Sequence, residues 1–319
     1  MAYNTDYVGR DWHLTYSGRK GVRDDPEGNL ANGPSGYLWD ACARAGLSYR
    51  SYAEYGKRVS QPDGGFKMEG AVPGLVGHMC PEYALYKNDG KYMRDPENVE
   101  VFLKEYEAFE KNGSMPRFII MSLGEDHTVG TKLGLPTPRA AVASNDLALG
   151  RLVDRVSHGK LWKETAIFVI EDDAQNGPDH VDAHRTVGLV ISPYTKRRFV
   201  DSTQYSTVSM VRTIELILGL PPLSQYDAAA RPMSNSFTDR ADLSPYICKK
   251  AQVDIDERNT KASYGVGRSN KMDFSEYDLV DDFELNEILW RSVKGVDAPL
   301  PPTVRRAIAN RPAESLAKK

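Results

Sequence analysis

Ala166-Ile167-Phe168-Val169-Ile170 is an unbroken apolar run that leads straight into a cluster of acids. A run without polar alternation predicts a strand covered on both faces, the condition of parallel sheets whose crossovers are helices. Val187–Ser192 is predicted as a further strand of this kind, Phe118-Ile119-Ile120-Met121, within Pro116–Leu123, as a short buried strand with a polar end, and Leu47–Tyr55 as a strand. Helices are predicted between them. One spans 36–46 and ends at Gly46; another covers Glu97–Glu110. Pro138–Ser157 carries Leu149, Leu152, Val153 and Val156 at i, i+3, i+4 and i+7. A fourth starts at Ser206 or Thr207 and is stopped by Gly219 and Pro221-Pro222, and a fifth lies near Asp281–Val293.

Strands alternating with helices imply an α/β layer fold with a mostly parallel sheet. Residues 56–94 have many glycines and little periodicity, so they are predicted as a long excursion without structure. The expected organisation is an extended N-terminal segment 1–35, one α/β domain over 36–296, and a polar C-terminal tail 297–319.

Composition removes several classes. Lys and Arg number 41 against 44 Asp and Glu, a net charge of −3, so the chain lacks the concentrated positive charge of a general nucleic-acid binder. No apolar run approaches the roughly 20 residues of a membrane helix. Cys42, Cys80 and Cys248 are odd in number and widely spaced, which indicates neither a disulfide framework nor a thiolate zinc site and leaves one bridge plus one thiol open. The segment Met1–Tyr7 has no charged stretch followed by an apolar one, so no signal peptide is expected as written, and the chain as written is expected in the cytosol.

Two apolar strands end in acids and histidines. The first is followed by Gly124-Glu125-Asp126-His127-Thr128, the second by Glu171-Asp172-Asp173 and then Asp179-His180-Val181-Asp182-Ala183-His184. Ligands of open parallel sheets bind beyond the carboxyl ends of the strands, so the two clusters are expected to converge. Half of the six histidines fall in them, whereas His13 and His158 lie away and His78 sits in the glycine-rich stretch. Two carboxylates about 4 Å apart repel by roughly 4 kcal/mol at an effective dielectric of 20. Asp126, Asp172 and Asp173 would relieve such repulsion around a divalent cation, and Asp and His donors suit zinc, manganese, magnesium, calcium or iron. Any one of these acids alone is better read as a cap or turn residue, and Asn176-Gly177-Pro178-Asp179 is a ready-made turn. The two clusters together favour a metal. His158, near a helix end, is read as a dipole-stabilising residue.

The segment Phe168–Thr186, with Glu171-Asp172-Asp173-Ala174-Gln175-Asn176-Gly177-Pro178-Asp179-His180-Val181-Asp182-Ala183-His184-Arg185, followed by Ile191-Ser192-Pro193-Tyr194, resembles the metal-binding segment of the phosphoesterase family. That family holds phospholipase C-type enzymes and acid phosphatases within the alkaline phosphatase superfamily. The likeness is nearest to a bacterial branch in which the domain often follows a β-propeller. Gly36–Asp40, Leu47–Arg50, Asp126-His127-Thr128, Asn145–Gly150 and Ile288-Leu289-Trp290 resemble it too.

The resemblance implies an alkaline phosphatase-like α/β/α sandwich and metal-dependent hydrolysis of phosphoric esters by a Ser or Thr nucleophile beside one or two ions, zinc first, with manganese or calcium next. By position it implies Asp126, His127, Asp172, Asp173 and His184 as metal ligands, with His180 and Arg185 touching phosphate or supporting the ligands. In the family the nucleophile and an acidic-Asn-Arg segment precede the matched region, so no catalytic nucleophile is assigned here and the domain is expected to be N-terminally truncated. The implied ligand is a small phosphate ester or a phospholipid. The alternative is a non-catalytic metal- or phosphate-binding remnant working with a homodimer mate or a separate N-terminal partner, since a missing strand leaves open sheet edges. The family is commonly exported, so a longer precursor would place the protein in the periplasm or outside the cell.

Overall fold

A computed structural model of the 319-residue chain describes residues 35–84, 94–171, 186–274 and 280–300. The expected N-terminal segment and C-terminal tail therefore fall outside the described residues, apart from Ser35 and residues 297–300. The chain forms two compact units, one drawn from residues 1–128, 139–168 and 190–256, the other from 129–138, 169–189 and 257–319.

The first unit is built around a parallel pair of strands. β1 (Tyr49–Tyr52) runs alongside β4 (Phe118–Met121), with Tyr49 opposite Phe118 and Tyr52 opposite Met121. Parallel neighbours need a long crossover, and helix α2 (Asp95–Asn112) lies in the one between them. Side chains of β4 alternate between two apolar layers. Phe118 and Ile120 join Leu38 and Trp39 of α1 (Leu38–Arg44) with Leu75, Leu223 and the Val211, Ile214 and Leu218 side of α4 (Thr207–Leu218). Ile119 and Met121 join Val99, Phe102 and Tyr106 of α2, and Ala148, Leu152, Val153 and Val156 of α3 (Pro138–Ser157). Helices thus cover both faces of this small parallel sheet, the period-two pattern of a strand between two layers. Full burial of Leu38, Leu75 or Val99 stabilises by about 1.5–3 kcal/mol each.

The predicted helices are present with closely matching ends. α3 has the expected bounds, and α4 begins after Ser206 and ends at Gly219, whose φ of 71° is the left-handed cap that glycine supplies. The excursion expected over 56–94 is overturned in its first part. β2 (Gly56–Ser60) and β3 (Phe66–Gly70) form an antiparallel hairpin, followed by a 3-10 turn at Pro73–Leu75. Lys57, Arg58, Lys67 and Glu69 keep its strands polar, so no apolar run announces it; the signal is Pro62-Asp63-Gly64, where Asp63 accepts the Gly65 N–H at 2.9 Å. Gly70 has no room for a side chain, because a Cβ there would lie 2.4 Å from the Leu75 carbonyl carbon. Gly70→Ala should therefore cost about 1–3 kcal/mol of stability in urea unfolding; an unchanged midpoint would show that the hairpin simply moves aside.

β5 (Ile167–Ile170) and β6 (Gly188–Ile191) form a third two-stranded sheet among the described residues. The expectation that β5 and β6 are covered on both faces is not met among the described residues: β5 is half-buried throughout, and Leu189 is 42% exposed. Among these residues β4 hydrogen-bonds to β1 alone and β5 to β6 alone, although Ile119, Met121 and Ile167 share one apolar cluster. The sheet structure is one parallel pair, one antiparallel hairpin and the β5–β6 pair.

The short helices α5 (Gln225–Ala229) and α6 (Val266–Ser269) come next in the chain; in the second unit, Leu285 and Ile288 of α7 (Asp282–Lys294) are buried, and Ile288 packs on Gly265, whose φ is 72°. Thr131 donates its hydroxyl to the Tyr264 carbonyl at 2.7 Å and its N–H to the Ser269 hydroxyl oxygen at 3.0 Å. Asn259 caps the Lys132, Leu135 and Pro136 carbonyls with one amide nitrogen. No helix of the described residues is long and apolar enough to cross a membrane.

Candidate functional site

β4 ends at Met121, and the chain beyond it is held tightly. The Ser122 N–H donates to the Tyr52 carbonyl at 3.0 Å, and its own carbonyl accepts the Tyr83 hydroxyl at 2.8 Å. Ser122 Oγ donates to Glu54 Oε2 at 2.5 Å, tying the carboxyl end of β4 to that of β1. Three residues on, a 3-10 turn spans Glu125–His127. Asp126 and His127 lie exposed on this turn, as expected for residues beyond a parallel strand's carboxyl end. The His127 Nδ1 is 3.3 Å from the Thr128 carbonyl.

Backbone strain gathers here. Thr128 follows the turn at φ 57° and ψ 178°, and Ala53 and Tyr55, at φ 67° and 50°, bracket Glu54 after β1. Conformations of this kind cost on the order of 1–3 kcal/mol for a residue with a Cβ, and they concentrate where a site needs a fixed shape.

Beneath the turn is a buried polar clasp. Asp95, first residue of α2, accepts the Gly124 N–H at Oδ1 (3.2 Å) and the Glu125 N–H at Oδ2 (2.9 Å). Glu125 reciprocates by accepting the Asp95 N–H at 3.0 Å and pairs with the Arg94 guanidinium. Asn145 of α3 donates its amide to Asp95 Oδ2 at 3.0 Å and to the Leu123 carbonyl at 3.4 Å. Arg94 also reaches the Ile255 carbonyl at 2.8 Å and Asp256 at 3.3 Å. Asp95 and Glu125 are each only 1% exposed. Burial pushes the Asp95 carboxyl up to about 6, with the Glu125 charge adding to it, while the Glu125 N–H, Asn145 and Gly124 bonds pull the other way.

Asp172, Asp173, His180, His184 and Arg185 lie outside the described residues. The two ends of that segment are fastened to each other. The Glu171 N–H donates to the Val187 carbonyl at 3.2 Å, and the Thr186 hydroxyl donates to the Glu171 carbonyl at 2.8 Å. Of the predicted ligands, the described structure brings Asp126 and His127 together on one turn. His158 does stand at a helix end, with Nδ1 2.8 Å from the Asp154 carbonyl and 3.2 Å from its carboxylate. His78 stacks on Tyr49 with ring centroids 4.1 Å apart. Cys42, Cys80 and Cys248 are all free thiols.

A second group of donors was not foreseen. Cys80, Glu82 and Glu105 bring ligand atoms within 4.8 Å of one another, a set that could hold a metal. Glu105 is already engaged, however, taking both Nε and Nη2 of Arg50 and the Tyr52 hydroxyl. Its carboxyl is lowered: burial opposes ionisation, but the bonds from Arg50 and Tyr52 outweigh it. Burial, then the Glu105 charge, pushes the Cys80 thiol up to about 11, so it is not a ready thiolate ligand. Arg50 supplies the positive charge this group needs.

No protein-family model matches the chain, and no curated protein matches it. Sequence reasoning placed Asp126 and His127 just beyond an apolar strand, where the structure has them, but missed Arg94, Asp95 and the buried role of Glu125. Only Glu125 carried a signal, as the acid next to Asp126; Asp95 is 30 residues away and reads as an ordinary first-turn acid.

Proposed function

We propose that this chain carries a metal-dependent phosphoric ester hydrolase site of the phosphoesterase type, on a sandwich of the alkaline phosphatase kind. The observation that carries the reading is the exposed Asp126–His127 turn beyond a parallel strand, held from below by buried carboxylates. An exposed carboxylate and imidazole on adjacent residues fit a divalent ion of intermediate hardness, zinc before manganese or calcium. Asp126 and His127 would hold it with Asp172, Asp173 and His184, the ligands implied by the sequence resemblance. When bound, such an ion draws charge from phosphoryl oxygens. The chain's own part is to keep the turn rigid, and to meet the ester's remaining charge with His180 and Arg185. The reading assigns no nucleophile within the matched segments.

A second reading, a metal- or phosphate-binding domain that needs a partner chain, draws on one observation. Apolar strands β4 and β5 each have one hydrogen-bonded neighbour among the described residues, and an open apolar edge invites another strand.

The test is metal content of the purified chain by mass spectrometry, beside Asp126→Asn and Asp172→Asn. One or two equivalents of a divalent ion are expected in the native chain and fewer than half as many in either variant. Turnover of p-nitrophenyl phosphate mono- and diesters by the loaded chain would favour the hydrolase; metal without turnover would favour the partner-dependent domain. A native chain that takes up no zinc, manganese or calcium removes both.

A further inference from the structure

We infer that Asp95 and Asn145 are positioning residues for the Asp126–His127 pair, a buried clasp that sets the backbone of the ligand turn. The inference rests on the metal reading above and names what fixes that site.

The clasp acts on three successive residues just before the ligands. Asn145 takes the Leu123 carbonyl, and Asp95 takes the Gly124 and Glu125 N–H groups, so acceptor and donors of the approach to Asp126 are all specified. Both oxygens of Asp95 accept from N–H donors, and Asn145 completes the set at Oδ2. An ionised carboxylate fits such an all-donor environment; a carboxamide cannot, because its NH2 would have to face either Gly124 or the Glu125–Asn145 pair. The arrangement works against stability at neutral pH, since an acid whose folded pKa lies near 6 rather than 3.8 favours folding less once it is ionised. Anchors in α2 and α3 make the clasp rigid, the condition a ligand pair needs from its support. Glu125, Arg94 and, beyond it, Asp256 are the other charged groups of the network, with Tyr83 near Asp95.

The test compares the full-length native chain with Asp95→Asn and Asn145→Ala. Zinc affinity at pH 7 is measured by calorimetry, and amide exchange of Gly124 and Glu125 is measured against Leu152 in α3. Expected are an affinity loss of roughly 10–100-fold in Asp95→Asn, a smaller loss in Asn145→Ala, and faster exchange at Gly124 and Glu125 with Leu152 unchanged. Leu152 exchange separates local loosening from general destabilisation, and Asn145→Ala serves if Asp95→Asn does not fold. Native zinc binding that neither variant weakens overturns this inference and leaves the metal reading standing. A native chain that binds none of zinc, manganese and calcium removes both.

Discussion

A Glu125→Ala chain should lose about 3 kcal/mol of stability or more in urea unfolding at pH 7. Glu125 is 1% exposed and pairs with Arg94, whose side chain is 14% exposed. Removing the carboxylate leaves a largely buried guanidinium with the more distant Asp256 at 3.3 Å and the Ile255 carbonyl at 2.8 Å. It also strips the Asp95 N–H of its acceptor, and an unpartnered buried donor costs about 1–3 kcal/mol. The two losses share one network, so they will not add in full. Glu125→Gln preserves shape and one acceptor, and should fall between native and Ala. A loss below about 1 kcal/mol for Glu125→Ala would mean that Arg94 re-pairs with Asp256 and that the clasp is weaker than its geometry implies.

Glu215→Gln should remove most of the fall in stability between pH 6 and pH 8. Glu215 in α4 and Asp227 in α5 (Gln225–Ala229) are both fully buried and both accept the Leu223 N–H, at 3.2 and 2.6 Å. Burial first, then the hydrogen bond and charge of Asp227, push the Glu215 carboxyl up to about 8, against Arg212 and the Leu223 N–H. Asp227 is lowered: burial opposes this, but bonds from Glu215, Ser224 and Leu223 prevail. The folded chain therefore keeps a Glu215 proton that the unfolded chain releases near its ordinary value of 4.5. Stability from this group is complete below that value and is lost as pH rises toward 8. Asp227 contributes in the opposite sense and only near or below 3.8, and Asp95 has finished titrating once pH is well above 6. From pH 6 to 8 the native chain should lose roughly 2–3 kcal/mol through Glu215. Gln keeps a donor for Asp227 and has no proton to lose. Urea midpoints at pH 6, 7 and 8 decide it, and parallel curves for the two chains would refute a shared proton.

What was legible in the sequence follows the strength of each local signal. α3 and α4 were readable because 3.6-residue periodicity meets clear stops, Pro138 at one start and Gly219 at one end. Phe118–Met121 and Ile167–Ile170 were readable as strands, but not how little of β5 the described residues cover, because cover comes from residues distant in sequence. The β2–β3 hairpin escaped because its strands carry Lys, Arg and Glu, leaving only Pro62-Asp63-Gly64 to mark it. The position of Asp126 and His127 beyond the end of β4 was readable from the apolar strand before them. The clasp was not, because positions 94, 95, 125 and 145 are unremarkable singly and meet only once α2, β4 and α3 are assembled.

That assembly bears on the order in which the chain folds. An isolated helix usually closes its first turn with its own neighbours, and in α2 Glu97 does accept the Arg94 N–H at 3.1 Å. The next N–H, that of Asp95, is closed by Glu125 from the far side of the crossover. The start of α2 therefore cannot reach its final state until β4 has docked beside β1, which couples a local nucleation event to a slow, long-range closure. In pulse-labelling during refolding, the Asp95 amide should gain protection in step with Gly124 and Glu125, later than the amides in the middle of its own helix.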